Sequence, residues 1–234
     1  MPDAPWLMTQ SWNRLLFAHW PVDAAQMRRV VPKPFELDVF DGRAWLGVVP
    51  FYMSNVGVRA TPRLPWLSSF PELNVRTYVR LGDRPGVYFF GLDAGSRVAV
   101  AAARVLLNLP YHSATMRVGL NGVVVDYRSV RRSDRSEFRG VYAPTGLPFR
   151  SSAGSLEHFL TERYCLYHRD QRGRPYRLEI HHRPWSLQVA KAAIGVNTIA
   201  AASGIAVDRP PQLLHFALRQ DVVAWAPNRL PPGG

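Results

Sequence analysis

The chain has 234 residues, of which 47% are apolar and 20% charged. That balance excludes a disordered or collagen-like protein and suits one domain of substantial size or two small ones. Basic residues number 29 against 17 acidic ones, for a formal net charge of +12; only Lys33 and Lys191 are lysines, so 29 minus 2 leaves 27 arginines. Lysine is also a good phosphate partner, so a patch selected for nucleic acid is expected to use both types. The skew reads as coding bias rather than as a partner preference.

Cys165 is the single cysteine, which excludes an intrachain disulfide and a cysteine-based zinc site. The N-terminal MPDAPWLMTQSW lacks a basic segment followed by an apolar one, so no secretory signal is read. No apolar run approaches the ~20 residues needed to span a bilayer. VAVAAARVLL is too short, and Arg104 interrupts it. A cytosolic protein without a membrane partner is expected.

Taken in order, the first predicted helix runs from Asp23 to Val31, with Asp23 as its cap, Gln26 three residues on, and Pro32 and Pro34 ending it. FELDVF then reads as a strand, Asp41-Gly42 as a turn, and AWLGVVPFYM as a strand apolar on both faces, whose Pro50 implies a bulge or an edge. The segment around 61–65 reads as a loop. ELNVRTYVRL alternates, with Leu73, Val75, Thr77 and Val79 on one face and Glu72, Asn74, Arg76 and Tyr78 on the other. GVYFFGL is again apolar on both faces.

Ser96 to Leu107 is predicted to be a buried, Ser-capped helix. ATMRVGL, Asn121-Gly122 and VVVDYRSVR form the clearest predicted hairpin. LEHFLTERY after Ser155 is a further helix; LYHRD, a turn and PYRLEIHH give another hairpin; NTIAAASG closes on Gly204; LLHFALRQDVVAW is a strand pair or one bent strand. Many short strands with few helices between them argue for one β-rich (α+β) domain over residues 1–230, a closed or nearly closed antiparallel sheet, followed by a disordered tail at 231–234.

Glu72, Asn74, Arg76 and Tyr78 share one face over about 20 Å. They are either a solvated face or a polar wall inside a closed sheet, with Glu72 and Arg76 holding a small ligand. Tyr111 and His112 follow the apolar helix and read either as an acid and a base or as a helix-ending turn with a half-buried aromatic. Glu179 and His181 share a strand face while His182 points the opposite way, so the two histidines do not readily ligate one metal. His158 and Glu162 stand at helical i, i+4 spacing and read as a helix-surface pair. Cys165 has no thiolate-activating motif and reads as a small packed residue. Arg128, Arg131, Arg132, Arg135 and Arg139 read as a solvated loop, with a phosphate-contacting patch as the alternative. No metal or cofactor is expected.

Several stretches together resemble one bacterial family of uncharacterised proteins, a domain of unknown function grouped with the acetoacetate decarboxylase-like superfamily. They are LLFAHWPVD, FELDVFDGRAWLGVVPF, FPELNVRTYVR, GVYFFGLDA, GSLEHFLTERYCLY and EIHHRPWSLQ, and the likeness runs from about Trp12 to Trp225. The resemblance implies a cone-shaped, mostly antiparallel β-barrel with a few flanking helices and an internal small-molecule pocket. It also implies that Glu72 is the pocket glutamate. The decarboxylase itself uses a lysine Schiff base. In the matching stretch, Asn108-Leu109-Pro110-Tyr111-His112, Tyr111 stands where that lysine would be and His112 where its neighbour would be.

A phenol cannot form the iminium, so Schiff-base decarboxylation at this position is excluded; Lys191 as a migrated nucleophile is the remaining amine, against a stem lying on apolar surface. The leading expectation is a small-molecule-binding barrel doing acid/base chemistry on a keto or enolisable metabolite. Glu72, Tyr111 and His112 would be catalytic, and Arg76, Asn74 and Tyr78 substrate-binding. The alternatives are a non-catalytic sensor or carrier of an apolar metabolite and, least favoured, a nucleic-acid binder. A homodimer is left open.

Overall fold

Alternating apolar residues become strand along most of the chain, and the computed structural model describes residues 2–61, 68–107, 109–170 and 172–230. The fold is mostly β-sheet with four short helices among the described residues. The strands are β1 (Met8–Val22), β2 (Glu36–Leu37), β3 (Ala44–Val58), β4 (Phe70–Leu81), β5 (Arg84–Ala94), β6 (Tyr111–Asn121), β7 (Val124–Arg131), β8 (Glu137–Pro144), β9 (Cys165–Arg169), β10 (Pro175–His182), β11 (Gln188–Asn197), β12 (Leu213–Ala224) and β13 (Asn228–Arg229). The helices are α1 (Ala24–Val30), α2 (Arg97–Leu107), α3 (Leu156–Thr161) and α4 (Thr198–Ala201). The predicted tail at 231–234, Asn108, Gln171 and the predicted loop beyond Thr61 lie outside the described residues.

The strand pairings return on themselves. β10 pairs with β9, β9 with β5, β5 with β4, β4 with β3, β3 with β1, β1 with β12, and β12 with β10 again. A second run, β5-β6-β7-β8-β11-β12, leaves and rejoins this circuit. The pairs are antiparallel except where β5 lies parallel to β6 and to β9. This arrangement explains the strands that are apolar on both faces. Alternate residues of β1, β3 and β4 feed two separate cores. Leu15, Phe17, Phe51, Met53 and Phe70 enter one, and Leu16, Ala18, Val48, Leu73 and Val75 enter the other with Tyr127, Phe138 and Tyr142.

Local signals are realised with small corrections. The Gln26 backbone N–H donates to Asp23 Oδ1 at 2.9 Å, and the His158 N–H donates to Ser155 Oγ at 3.2 Å. Pro50 sits in an irregularity: β1 and β3 lose register between Asn13/Tyr52 and Ala18/Val48, and Arg14 takes φ 52 there. The FELDVF strand shrinks to Glu36–Leu37; beyond it the Asp38 N–H still donates to the Tyr78 carbonyl at 3.0 Å while its side chain pairs with Arg163. α2 is not buried throughout. Val100 and Leu107 face inward while Val98 and Val105 are 51% and 78% exposed, as expected of a helix lying on the surface by one stripe. LLHFALRQDVVA is one strand, β12.

Gly86 is where β5 and β9 approach most closely. A Cβ there would stand 2.4 Å from the Cys165 carbonyl oxygen and 2.9 Å from Cys165 Cβ. Backbone cannot yield as a flexible side chain does, so Gly86→Ala is expected to destabilise the fold by about 2–4 kcal/mol, read as a fall in the urea midpoint with unchanged slope. No helix among the described residues is long and apolar enough to cross a membrane.

Candidate functional site

The core that receives Phe17, Phe51 and Phe89 holds a cavity with free space of about 50 Å³. That is room for roughly four waters or, since bonded atoms pack closer than waters, a molecule of about six heavy atoms. The wall is mainly apolar, and β4 supplies Glu72, Asn74 and Arg76 to its polar part. Period two carries Glu72, Asn74 and Arg76 into the wall in succession, so the solvated-face alternative is overturned. Tyr78, next in the same row, is fully buried just behind Arg76.

Glu72 is 2% exposed, and its Oε2 accepts from the Tyr111 hydroxyl at 2.8 Å. Tyr111 is the first residue of β6, pairing across from Leu92 of β5, so the two groups meet over one intervening strand. It is a buried strand residue and not a half-buried turn aromatic. Burial pushes the Glu72 carboxyl up to about 8, nearby Asp93 adds to the rise, and the Tyr111 hydrogen bond only partly opposes it. At neutral pH the group is therefore mostly the acid. Burial and the Glu72 charge hold the Tyr111 phenol well above its ordinary value. The pair can donate and accept a proton inside a dry cavity.

Arg76 is 8% exposed and has no acidic partner among the described residues. Its Nη2 donates to the Leu160 carbonyl at 3.2 Å and lies 3.5 Å from the Tyr78 hydroxyl; its Nε has no partner. The guanidinium lies 5.3 Å from the Phe17 ring centre and 5.8 Å from that of Tyr78. Gly47, paired with both His19 and Arg76, makes the space: a Cβ there would stand 3.2 Å from Arg76 Cγ and 3.3 Å from the His19 ring. Tyr78 donates to the Leu160 carbonyl at 2.9 Å, so its oxygen accepts from His19 Nε2–H at 2.6 Å, and His19 Nδ1 is left without a partner. A charged His19 would also bury an unpaired Nδ1–H, and burial together with Arg76 lowers its pKa well below the ordinary value, so the ring is neutral. Asn74 Oδ1 is also buried without a partner.

The structure therefore gathers Glu72, Asn74, Arg76 and Tyr111, with Tyr78 as a support. His112 is set apart: the strand alternation that sends Tyr111 inward turns it away from the cavity wall, toward Arg131. Burial and the cations Arg131 and Arg104 lower it to about 4. Lys33 and Lys191 are both exposed and neither lines the cavity, so the migrated-nucleophile alternative has no amine to use.

Two other predicted features change. Glu162 does not pair with His158; it accepts from the Tyr164 hydroxyl at 2.6 Å and the Trp185 N–H at 2.8 Å. The arginine run lies on a β7–β8 hairpin rather than a loop; Arg128, Arg132, Arg135 and Arg139 are solvated as expected, and Arg131 is buried on Asp93 at 2.9 Å. Burial and the Glu179 charge push the Cys165 thiol up, and it packs as predicted. No group of three metal-ligating side chains occurs among the described residues.

Sequence reasoning missed Trp12, Arg163, His182 and Trp185, all of which line the cavity. Only His182 carried a signal: it shares parity with Leu178 and Ile180, the inward row of β10. Arg163 is already satisfied by Asp38 at 2.6 Å and the Phe159 carbonyl at 2.6 Å, which leaves Arg76 as the uncompensated cation of the wall.

The family described as DUF2071, uncharacterized conserved protein, matches residues 9–221. The uncharacterized protein YqjF of Bacillus subtilis (strain 168) is 46% identical over 226 residues, covering 96% of this chain and 93% of that one. Two solved structures are similar in fold. The enduracididine biosynthesis enzyme MppR complexed with pyruvate aligns with a TM-score of 0.68 at 12% identity, over 99% of this chain and 93% of its own. Acetoacetate decarboxylase from Legionella pneumophila subsp. pneumophila str. Philadelphia 1 aligns with a TM-score of 0.65 at 11% identity, over 99% and 92%. Identities this low speak for a shared acetoacetate decarboxylase-like fold and not for a shared activity.

Proposed function

The chain belongs to the DUF2071 family of uncharacterized conserved proteins, and we propose that its cavity binds a short carboxylic acid with an enolisable carbonyl and moves a proton next to that carbonyl. The observation that carries this reading is Arg76: a buried cation in the cavity wall, with an unpartnered Nε and no acidic partner among the described residues, a few residues along β4 from the Glu72–Tyr111 pair. A buried charge without a counter-ion is costly, and an anionic ligand removes that cost. The space of about 50 Å³ limits the ligand to a few carbons. On this reading the closed circuit of strands is a cone-shaped barrel around the site, in one cytosolic domain.

Arg76 takes the carboxylate, where its planar fork suits two oxygens. Glu72, once ionised, removes a proton from the carbon beside the carbonyl. The electron pair of that C–H bond moves to the carbonyl oxygen, and the Tyr111 hydroxyl donates to the enolate oxygen as charge grows there. The Glu72 carboxyl then exchanges its proton with solvent and returns one to the carbon, as the enolate electron pair re-forms the C–H bond and the carbonyl. Both lysines are exposed, so the chemistry runs without a Schiff base.

Pyruvate is the first probe, being the ligand in the MppR complex of the same fold. In D₂O the enzyme is expected to replace the methyl protons of pyruvate by deuterium, followed by proton NMR. Glu72→Gln should abolish the exchange, and Tyr111→Phe should slow it by roughly 10²-fold. Binding without exchange would leave a sensor or carrier. Absence of calorimetric binding for pyruvate, 2-oxobutanoate and acetoacetate alike would sink the carboxylate reading.

A further inference from the structure

We propose that the groove outside the junction of β10, β12 and β1 is the anion-collecting mouth of the cavity. The inference rests on the carboxylate site above and adds the route and the charge selection. β12 pairs with β10 only over Val222–Ala224 and with β11 only over His215–Phe216. Between these two pairings, residues 217–221 have no strand neighbour on that edge among the described residues; the Gln220 side chain spans the gap instead, its Nε2 donating to the Arg183 carbonyl at 2.9 Å.

The chain after β10 crosses the opening. Trp185 turns inward, 4.9 Å edge-on to Phe17 and 6.1 Å from Trp12, and its Nε1 donates to the Thr161 carbonyl at 2.9 Å. Arg183, Pro184 and Ser186 of the same segment line the groove outside. One short segment thus has the cavity on one side and the groove on the other.

Gln10 and His182 line both spaces, so the wall there is one side chain thick. They stand in one row across three strands, Gln10 opposite Val222 and Val222 opposite His182. Gln10 accepts from Trp12 Nε1 at 2.8 Å, and His182 Nδ1 lies 2.8 Å from the Arg183 carbonyl. Neither bond crosses the opening from Gln10 to His182. On this proposal the spaces join where the Gln220 side chain releases the Arg183 carbonyl and Gln10 and His182 turn aside, with the strand ladders intact.

The groove, of about 880 Å³, is cationic. Arg150 and Arg183 are exposed and form no ion pair among the described residues, while Arg219 pairs with Asp221 at 2.9 Å. A concave surface of one sign concentrates ions of the other and raises their association rate, and salt removes the effect.

The test follows pyruvate binding by stopped flow through the intrinsic tryptophan fluorescence, to which Trp12 and Trp185 of the cavity wall contribute. In Ser186→Cys, a bulky maleimide on the new thiol should slow association at least tenfold, whereas the same label on Val123→Cys, exposed on the β6–β7 turn, should not. Native Cys165 is buried, and treated parent protein controls for it. Arg150→Glu/Arg183→Glu should slow association about tenfold at low salt and not at ~1 M salt. Unchanged rates in the labelled Ser186→Cys protein and in the double variant would overturn the mouth while leaving the carboxylate site standing. Failure of the parent protein to bind any short carboxylate would overturn both.

Discussion

Arg76→Met is expected to abolish binding of short carboxylates while leaving the protein at least as stable as its parent. The loss of affinity should reach about 100-fold or more, since a charge-assisted bidentate contact in a dry cavity contributes roughly 3 kcal/mol. The stability half follows from what the guanidinium does without a ligand. It is buried with two neutral acceptors, an orphaned Nε and no counter-ion. The desolvation of such an ion costs several kcal/mol, against cation–π contacts with Phe17 and Tyr78 of roughly 1 kcal/mol each. Methionine fills most of the volume between those rings. The Leu160 carbonyl is not orphaned, because the Tyr78 hydroxyl still donates to it. A rise of a few degrees in Tm by calorimetry, with loss of binding by titration, is the expected pair of results. A fall in Tm with binding retained would mean that Arg76 is structural.

The arrangement around Arg76 was only half legible in the sequence. The period of two from Glu72 to Tyr78 was visible, and so was the two-faced apolarity of β3 and β5, which foretold cover on both sides. What could not be read was which side of β4 met water. That is decided by residues far along the chain: Leu160 of α3 accepts from Arg76 and Tyr78, and Trp185 closes the cavity more than 80 residues later. Arg131 departs from its four solvated neighbours in the arginine run for the same reason, since it looks like them until Asp93 of β5 meets it. His112 failed for a different reason. It is next to Tyr111 in sequence, and strand parity places neighbours on opposite faces.

Glu72→Gln is expected to make the protein more stable than its parent in alkali and no different in mild acid. The unfolded carboxyl titrates near 4.5 and the folded one near 8, so the fold favours the protonated group. Its stabilising contribution is complete below pH 4.5 and is lost as pH rises through 8. Between those values the unfolded chain has released a proton that the folded chain still holds. Stability then falls by up to about 1.4 kcal/mol per pH unit, a few kcal/mol in all. Asp93, raised to about 6 by burial in spite of Arg131, adds a loss of the same sign, completed at lower pH. The buried histidines, lowered by burial, act in the opposite direction on the acid side. Both effects cancel in the difference between variant and parent. Glutamine still accepts from the Tyr111 hydroxyl and carries no charge at any pH. The Tm difference should therefore be near zero at pH 5 and grow to about 5–10 °C by pH 9. The same titration sets the activity profile: if Glu72 is the base, proton exchange in the parent rises with pH and levels off above about 8. A Tm difference that is flat from pH 5 to 9 would mean that Glu72 is ionised in the cavity throughout. Its counter-ion would then have to be Arg76, and the carboxylate ligand would lose its place.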